Sequence, residues 1–188
     1  MRLVAGVGVN DCGYIVNKVI NGKQQMCPYY NTWKHMLDRC YRTKPHKRNP
    51  TYIGCTVAEE WKIFSNFRKW MEAQDWVGKH LDKDIIVAGN RHYSESTCVF
   101  VDPQVNTFLC DSRATRGKYM IGVHWHKRVG KFMSQCMDAS GKKLHLGYFD
   151  NELSAHLAWK SCKHKLACVL AEKQENREVA EALLKRFL

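Results

Sequence analysis

The chain has 188 residues, 45% of them hydrophobic, enough for one ordinary domain or two small ones. Lys and Arg number 30 against 18 Asp and Glu, a formal charge of +12, which points to a polyanionic partner rather than to an acidic-surface protein. No apolar run approaches bilayer length, and no convincing basic amphipathic helix with a continuous apolar face stands out, so no membrane partner is expected.

The charge is clustered. Residues 33–50 hold six Lys or Arg and one acid, Asp38, whereas residues 116–165 hold ten and three. The last eighteen residues balance at four and four, which places the tail outside any binding surface. Clustered positive charge attracts phosphate by releasing condensed counterions, without sequence preference of its own. The start, Met1 to Gly8, is too short and glycine-rich for a signal-peptide core. Nine cysteines without such a signal predict a reducing cytoplasm, with free thiols or a metal site rather than disulfides.

In chain order, residues 28–41 read as a helix with Pro28 in its first turn and Tyr30, Trp33, Met36, Leu37 and Cys40 on one face. A basic, proline-containing loop is expected from Arg42 to Pro50. Glu59 to Met71 reads as a second helix whose stripe of Trp61, Phe64, Phe67 and Trp70 or Met71 is expected to be core rather than a stacking platform. Next come a strand near Asp82–Val87, a turn at Gly89-Asn90, a strand at Thr97–Val101, and a helix opened by Asp102-Pro103. The polar, aperiodic run Cys110–Arg116 reads as a boundary, dividing the chain into 1–110 and 111–188.

Beyond the boundary, three short alternating runs lie between turn residues, Arg128-Val-Gly130 and Asp138-Ala-Ser-Gly141. They predict a three-stranded antiparallel sheet, followed by a helix over about 151–170. On the middle strand Phe132, Ser134 and Cys136 share one face, and Lys131, Met133 and Gln135 the other. On the third, Leu144, Leu146 and Tyr148 are expected opposite Lys143 and His145. A second amphipathic helix near the C-terminus carries Val179, Leu183 and Phe187 or Leu184 on one side, for packing or an interface.

The run Arg116-Gly117, Tyr119, Gly122-Val123, Lys131-Phe132, Gly141-Lys142, Leu146-Gly-Tyr-Phe149 and Ala155-x-x-Ala158-Trp159 resembles the DNA-binding domain of plant ethylene-response factors. That domain also recurs at the C-terminus of phage and mobile-element endonucleases. The resemblance implies double-stranded DNA as partner and a base-reading sheet face, here made of Arg116, His124, His126, Arg128, Lys131, Gln135, Lys143 and His145. Histidine stands where the family uses arginine at several of these places.

Upstream, Leu81-Asp-Lys-Asp84 and Tyr93-Ser-x-x-Thr-Cys98, followed by the helix to Asn106, resemble the ββα metal site of HNH nucleases of phage homing-endonuclease type. The resemblance implies Asp82 as strand ligand and Asn106 as helix ligand of one divalent cation, with Lys83 at the general-base position and Thr97 at the loop-steadying position. Oxygen ligands suit Mg²⁺. Lysine is a poor base at neutral pH unless its surroundings disfavour the charge, and Asp82 and Asp84 flank Lys83. His80 and His92 are the nearby imidazoles. Cys27, Cys40, Cys55 and Cys98 could hold a structural zinc, although no Cys-x-x-Cys pair is present. The expectation is an α+β protein: N-terminal helices with an HNH-like ββα unit, then a three-stranded antiparallel sheet backed by a helix. It would act as a metal-dependent DNA endonuclease in the cytoplasm, that of a bacterial host cell if the chain is phage-encoded. The alternative is a catalytically degenerate, sequence-specific DNA-binding protein or regulator derived from such a nuclease.

Overall fold

The computed structural model describes residues 3–110 and 117–188. In order these form β1 (Asn17–Ile20), β2 (Lys23–Met26), α1 (Pro28–Tyr41), α2 (Thr43–Arg48), β3 (Thr56–Val57), α3 (Phe64–Glu72), β4 (His80–Asp82), β5 (His92–Tyr93) and β6 (Val99–Val101). Then come α4 (Pro103–Leu109), β7 (Val123–His126), β8 (Lys131–Met137), β9 (Lys143–Phe149), α5 (Glu152–Ala171) and α6 (Arg177–Lys185). The class is α+β, with a three-stranded antiparallel sheet backed by α5. Among the described residues no helix is long and apolar enough to cross a membrane.

The chain divides into two compact units, Met1–Phe100 and Val101–Leu188. That division falls before the boundary expected after residue 110, and it assigns α4, with Asn106, to the second unit. The reason lies in the apolar side of α4: Val105 and Phe108 are buried, Phe108 meets Phe187 edge-on (5.9 Å), and Lys163 sits over its ring (3.5 Å). The expected linker, and Arg116 with it, lies largely outside the described residues.

In the first unit α1 spans the expected residues and buries Trp33, Met36, Leu37 and Cys40. Trp33 donates its indole N–H to the Trp61 carbonyl (2.6 Å), tying α1 to the aromatic stripe. Trp61, Phe64, Phe67, Trp70 and Met71 are all core. The helix expected over 59–71 is nevertheless two pieces, a 3-10 turn at Glu59–Lys62 and α3. Ile63 between them is extended because Val9 bridges it: Val9 N–H donates to the Lys62 carbonyl (2.8 Å) and Phe64 N–H to the Val9 carbonyl (3.0 Å). The expected basic loop is also different, since Thr43–Arg48 forms the short helix α2, none of whose residues is buried. Pro45 falls in its first turn, where a missing N–H costs nothing.

The strand expected from Asp82 ends there instead. Asp82 Oδ1 accepts the N–H groups of Asp84 and Ile85 (both 2.8 Å), and this side-chain turn stops β4. β4 pairs with β6, while β5, in the loop between them, pairs in parallel with β3.

In the second unit the sheet order is β7-β8-β9. Ser134 and Cys136 are buried on the α5 side with Ala155, Trp159 and Ala167. Asn151 caps α5 by accepting Ser154 N–H (2.8 Å), and α6 returns against α5 through buried Val179 and Leu183. Gly122, at φ +81°, lies against the Trp159 ring so closely that a Cβ would overlap it.

Candidate nucleic-acid interface and metal centre

Cross-strand partners share a sheet face, so the register defines which side chains stand together. His124 faces Met133, and His126 faces Lys131. Met133 faces Tyr148, Gln135 faces His145, and Met137 faces Lys143. These residues make the face turned away from Ser134 and Cys136. The structure therefore assembles six of the expected DNA-binding residues, His124, His126, Lys131, Gln135, Lys143 and His145, on one open surface. Arg128 is exposed in the β7–β8 turn, and Arg116 is outside the described residues.

One expectation is corrected. Tyr148 was expected on the covered face with Leu144 and Leu146, but the pairing shifts between Ser134 and Gln135, leaving Leu146 as the extra residue of a β-bulge. Gly147 (φ +122°) supplies the backbone conformation the bulge needs. Tyr148 is thereby turned to the open face, 41% exposed, with its ring 5.2 Å from that of His126 and 5.0 Å from that of His145. A glycine inside a strand pattern was the available signal for the bulge.

The polar groups of this face are aimed. Val129 N–H donates to His126 Nδ1 (3.2 Å), which keeps the proton of the neutral ring on Nε2, where it can be donated outward. Lys131 forms an ion pair with Asp150 (3.0 Å) at the end of β9, both partners being well exposed. No acid lies on β7, β8 or β9 themselves.

The residues of the expected metal centre are distributed over both units. Asp82, Lys83 and Thr97 lie in the first, and Asn106 lies on α4, half-buried, in the second. Burial, reinforced by the neighbouring Asp84, raises the Asp82 pKa above its ordinary value, against the two N–H groups that lower it. Lys83 points inward: it is 7% exposed, pairs with Asp84 (3.0 Å), and lies 5.9 Å from the Tyr93 ring centroid. Thr97 donates its hydroxyl to the His92 carbonyl (2.8 Å). Asn90, not singled out from sequence, steadies the same loop by donating to the Lys83 and His92 carbonyls (both 2.7 Å). His92 Nδ1 shares a hydrogen bond with the Thr56 hydroxyl (2.8 Å).

Within the first unit the donors are hard oxygens: the partly buried Asp82 carboxylate, with the Asp84 carboxylate beside it. Cysteine chemistry differs. Burial pushes the Cys40 and Cys98 thiols up to about 12, holding them neutral as small apolar core groups. Among the described residues no group of three or more His, Cys, Asp or Glu side chains is gathered to hold a metal ion.

Comparison with protein-family models, curated proteins and solved structures finds no match.

Proposed function

We propose that this chain binds double-stranded DNA through the open face of the β7-β8-β9 sheet and hydrolyses its phosphodiester bonds as an HNH-type, metal-dependent endonuclease. The observation that carries the binding half is the face that sets His124, His126, Lys131, Gln135, Lys143, His145 and Tyr148 side by side on strands that carry no acid, with Asp150 paired to Lys131 at its edge. The B-DNA major groove is wide enough for a small β element, and these side chains combine phosphate contact with donors and acceptors for base edges.

For cleavage, Asp82 would be a ligand of one Mg²⁺, and the resemblance to HNH sites gives Asn106 the same role. When bound, the ion would stabilise the charge that develops as water attacks phosphorus. Asp82 is oriented for this role by its two backbone N–H partners, which engage Oδ1. Thr97 and Asn90 keep the intervening loop rigid.

A second reading is favoured by Lys83. A buried ammonium paired with the partly exposed Asp84 carboxylate has no lone pair with which to deprotonate water. The chain would then be a DNA-binding regulator built on a nuclease frame. A cleavage time course on supercoiled and phage genomic DNA, with Mg²⁺ or EDTA, separates the two. Metal-dependent cutting that is lost in Asp82→Ala and Asn106→Ala, with binding retained, is the expected result. Tight binding without cutting in either condition selects the regulator.

A further inference from the structure

The β1–β2 hairpin has no role in the surfaces described so far. Residues 17–25 are all exposed, so both faces of this two-stranded ribbon meet solvent. Val19 is 70% and Ile20 49% exposed, beside the turn at Asn21-Gly22 where both residues have positive φ. A two-stranded ribbon covered on neither side is marginal by itself, and this one is held at its base. Cys27 N–H donates to the Val16 carbonyl (2.7 Å) and Arg68 donates to the Tyr14 hydroxyl (3.2 Å), its guanidinium over the Tyr14 ring at 5.3 Å. The ribbon is therefore an arm anchored to α3 with a free tip.

Its chemistry is one-sided. From Cys12 to Leu37 there is no Asp or Glu, while Lys18, Lys23 and Lys34 are present. The register places Lys18 opposite Gln25 and Ile20 opposite Lys23, so one face reads Lys, Gln, Ile, Lys. Gln24 stands opposite Val19 on the other face. Lysine suits phosphate or guanine, glutamine suits the N6/N7 edge of adenine, and an aliphatic tip suits the thymine methyl. Four-residue strands span roughly 13 Å, comparable with a major groove about 12 Å wide.

We infer that the β1–β2 hairpin is a second DNA-binding element, inserting as a β-ribbon into the major groove of duplex DNA with its Lys18, Ile20, Lys23 and Gln25 face toward the bases. This rests on the proposed reading that the chain binds duplex DNA. Charge complementarity selects the occupant: the ribbon carries lysines and no acid to repel a phosphate backbone.

The test uses the full-length protein and a labelled mixed-sequence DNA duplex. Wild type, Lys18→Glu/Lys23→Glu, Gln25→Ala and the sheet variant Lys143→Ala are compared for affinity across salt and for protection of guanine N7 from dimethyl sulfate. The hairpin side chains are solvent-exposed, so all variants should keep the wild-type melting temperature. The expected result is an affinity loss of tenfold or more for the double variant and a salt slope shallower by about 2. A subset of protected N7 positions should disappear with it, distinct from the subset lost in Lys143→Ala. Unchanged slope and N7 protection, in a wild type that binds, would overturn the hairpin proposal and leave the sheet reading standing. A shallower slope with an unchanged N7 pattern would place the arm on phosphates outside the groove and also overturn insertion. Absence of duplex binding by the wild type would sink both.

Discussion

Asp82 combines two opposed demands in one side chain. Its carboxylate terminates β4 by accepting two backbone N–H groups, yet burial and Asp84 raise its pKa. A carboxyl with a raised folded-state pKa contributes stability while it is protonated and loses it as pH rises through that pKa. Asp82→Asn keeps an acceptor for both N–H groups and removes the buried charge. The variant should melt above the wild type at neutral pH, with the difference closing as pH falls through the Asp82 titration, while metal-dependent cleavage is abolished. Thermal melts at several pH values check the sign; a variant less stable than wild type at pH 7 would show that the buried Asp82 charge is not destabilising. Much of this residue-scale detail was not legible beforehand. Asp82 and Lys83 stand out by their local sequence, but that Lys83 turns inward to Asp84 depends on Tyr93 and the surrounding core, which come from elsewhere in the chain.

At the scale of elements, periodicity located α1, α5 and the three strands of the sheet well, because each buries a face at its own repeat. It failed where a distant segment intervened or a glycine broke the alternation. The bridge from Val9 splits the helix expected over 59–71, and the bulge at Leu146 reverses Tyr148. Gly122 shows the opposite case, a motif residue whose reason becomes physical in three dimensions. Its positive φ and its seat on Trp159 both forbid a side chain. Gly122→Ala should destabilise the second unit by about 3 kcal/mol, combining backbone strain with displacement of the Trp159 ring. Urea unfolding would measure it, and a loss below about 1 kcal/mol would show that the ring moves aside freely. On β8–β9 a different prediction applies. Tyr148→Ala removes a partly exposed ring and its hydroxyl from the open face, so loss of a groove contact should lower duplex affinity about tenfold while leaving stability nearly unchanged. Equal affinity in a binding assay would take Tyr148 out of the interface.

For the whole molecule, a charge of +12 concentrated in two stretches predicts a steeply salt-dependent affinity for the proposed DNA partner. Lys143 has the free end of an exposed strand, whereas Lys131 is already compensated by Asp150. Lys143→Ala should therefore flatten the salt slope by about 1, Lys131→Ala by less, and Asp150→Asn should strengthen binding. The three titrations together test whether the sheet face is the contact surface; identical slopes in all variants would exclude it. Composition, periodicity and turn residues by themselves determined an α+β class, a basic chain, the aromatic core of the first unit, and a three-stranded sheet with its helix. These are local properties, repeated within each element and readable from neighbours in sequence. Tertiary structure alone decided the division at Phe100, the inward turn of Lys83, the bulge that exposes Tyr148, and the solvated β1–β2 arm. Apart from the bulge, which Gly147 marks locally, each of these depends on which distant residues compete for a backbone hydrogen bond or a place in the core, and no local pattern encodes that competition.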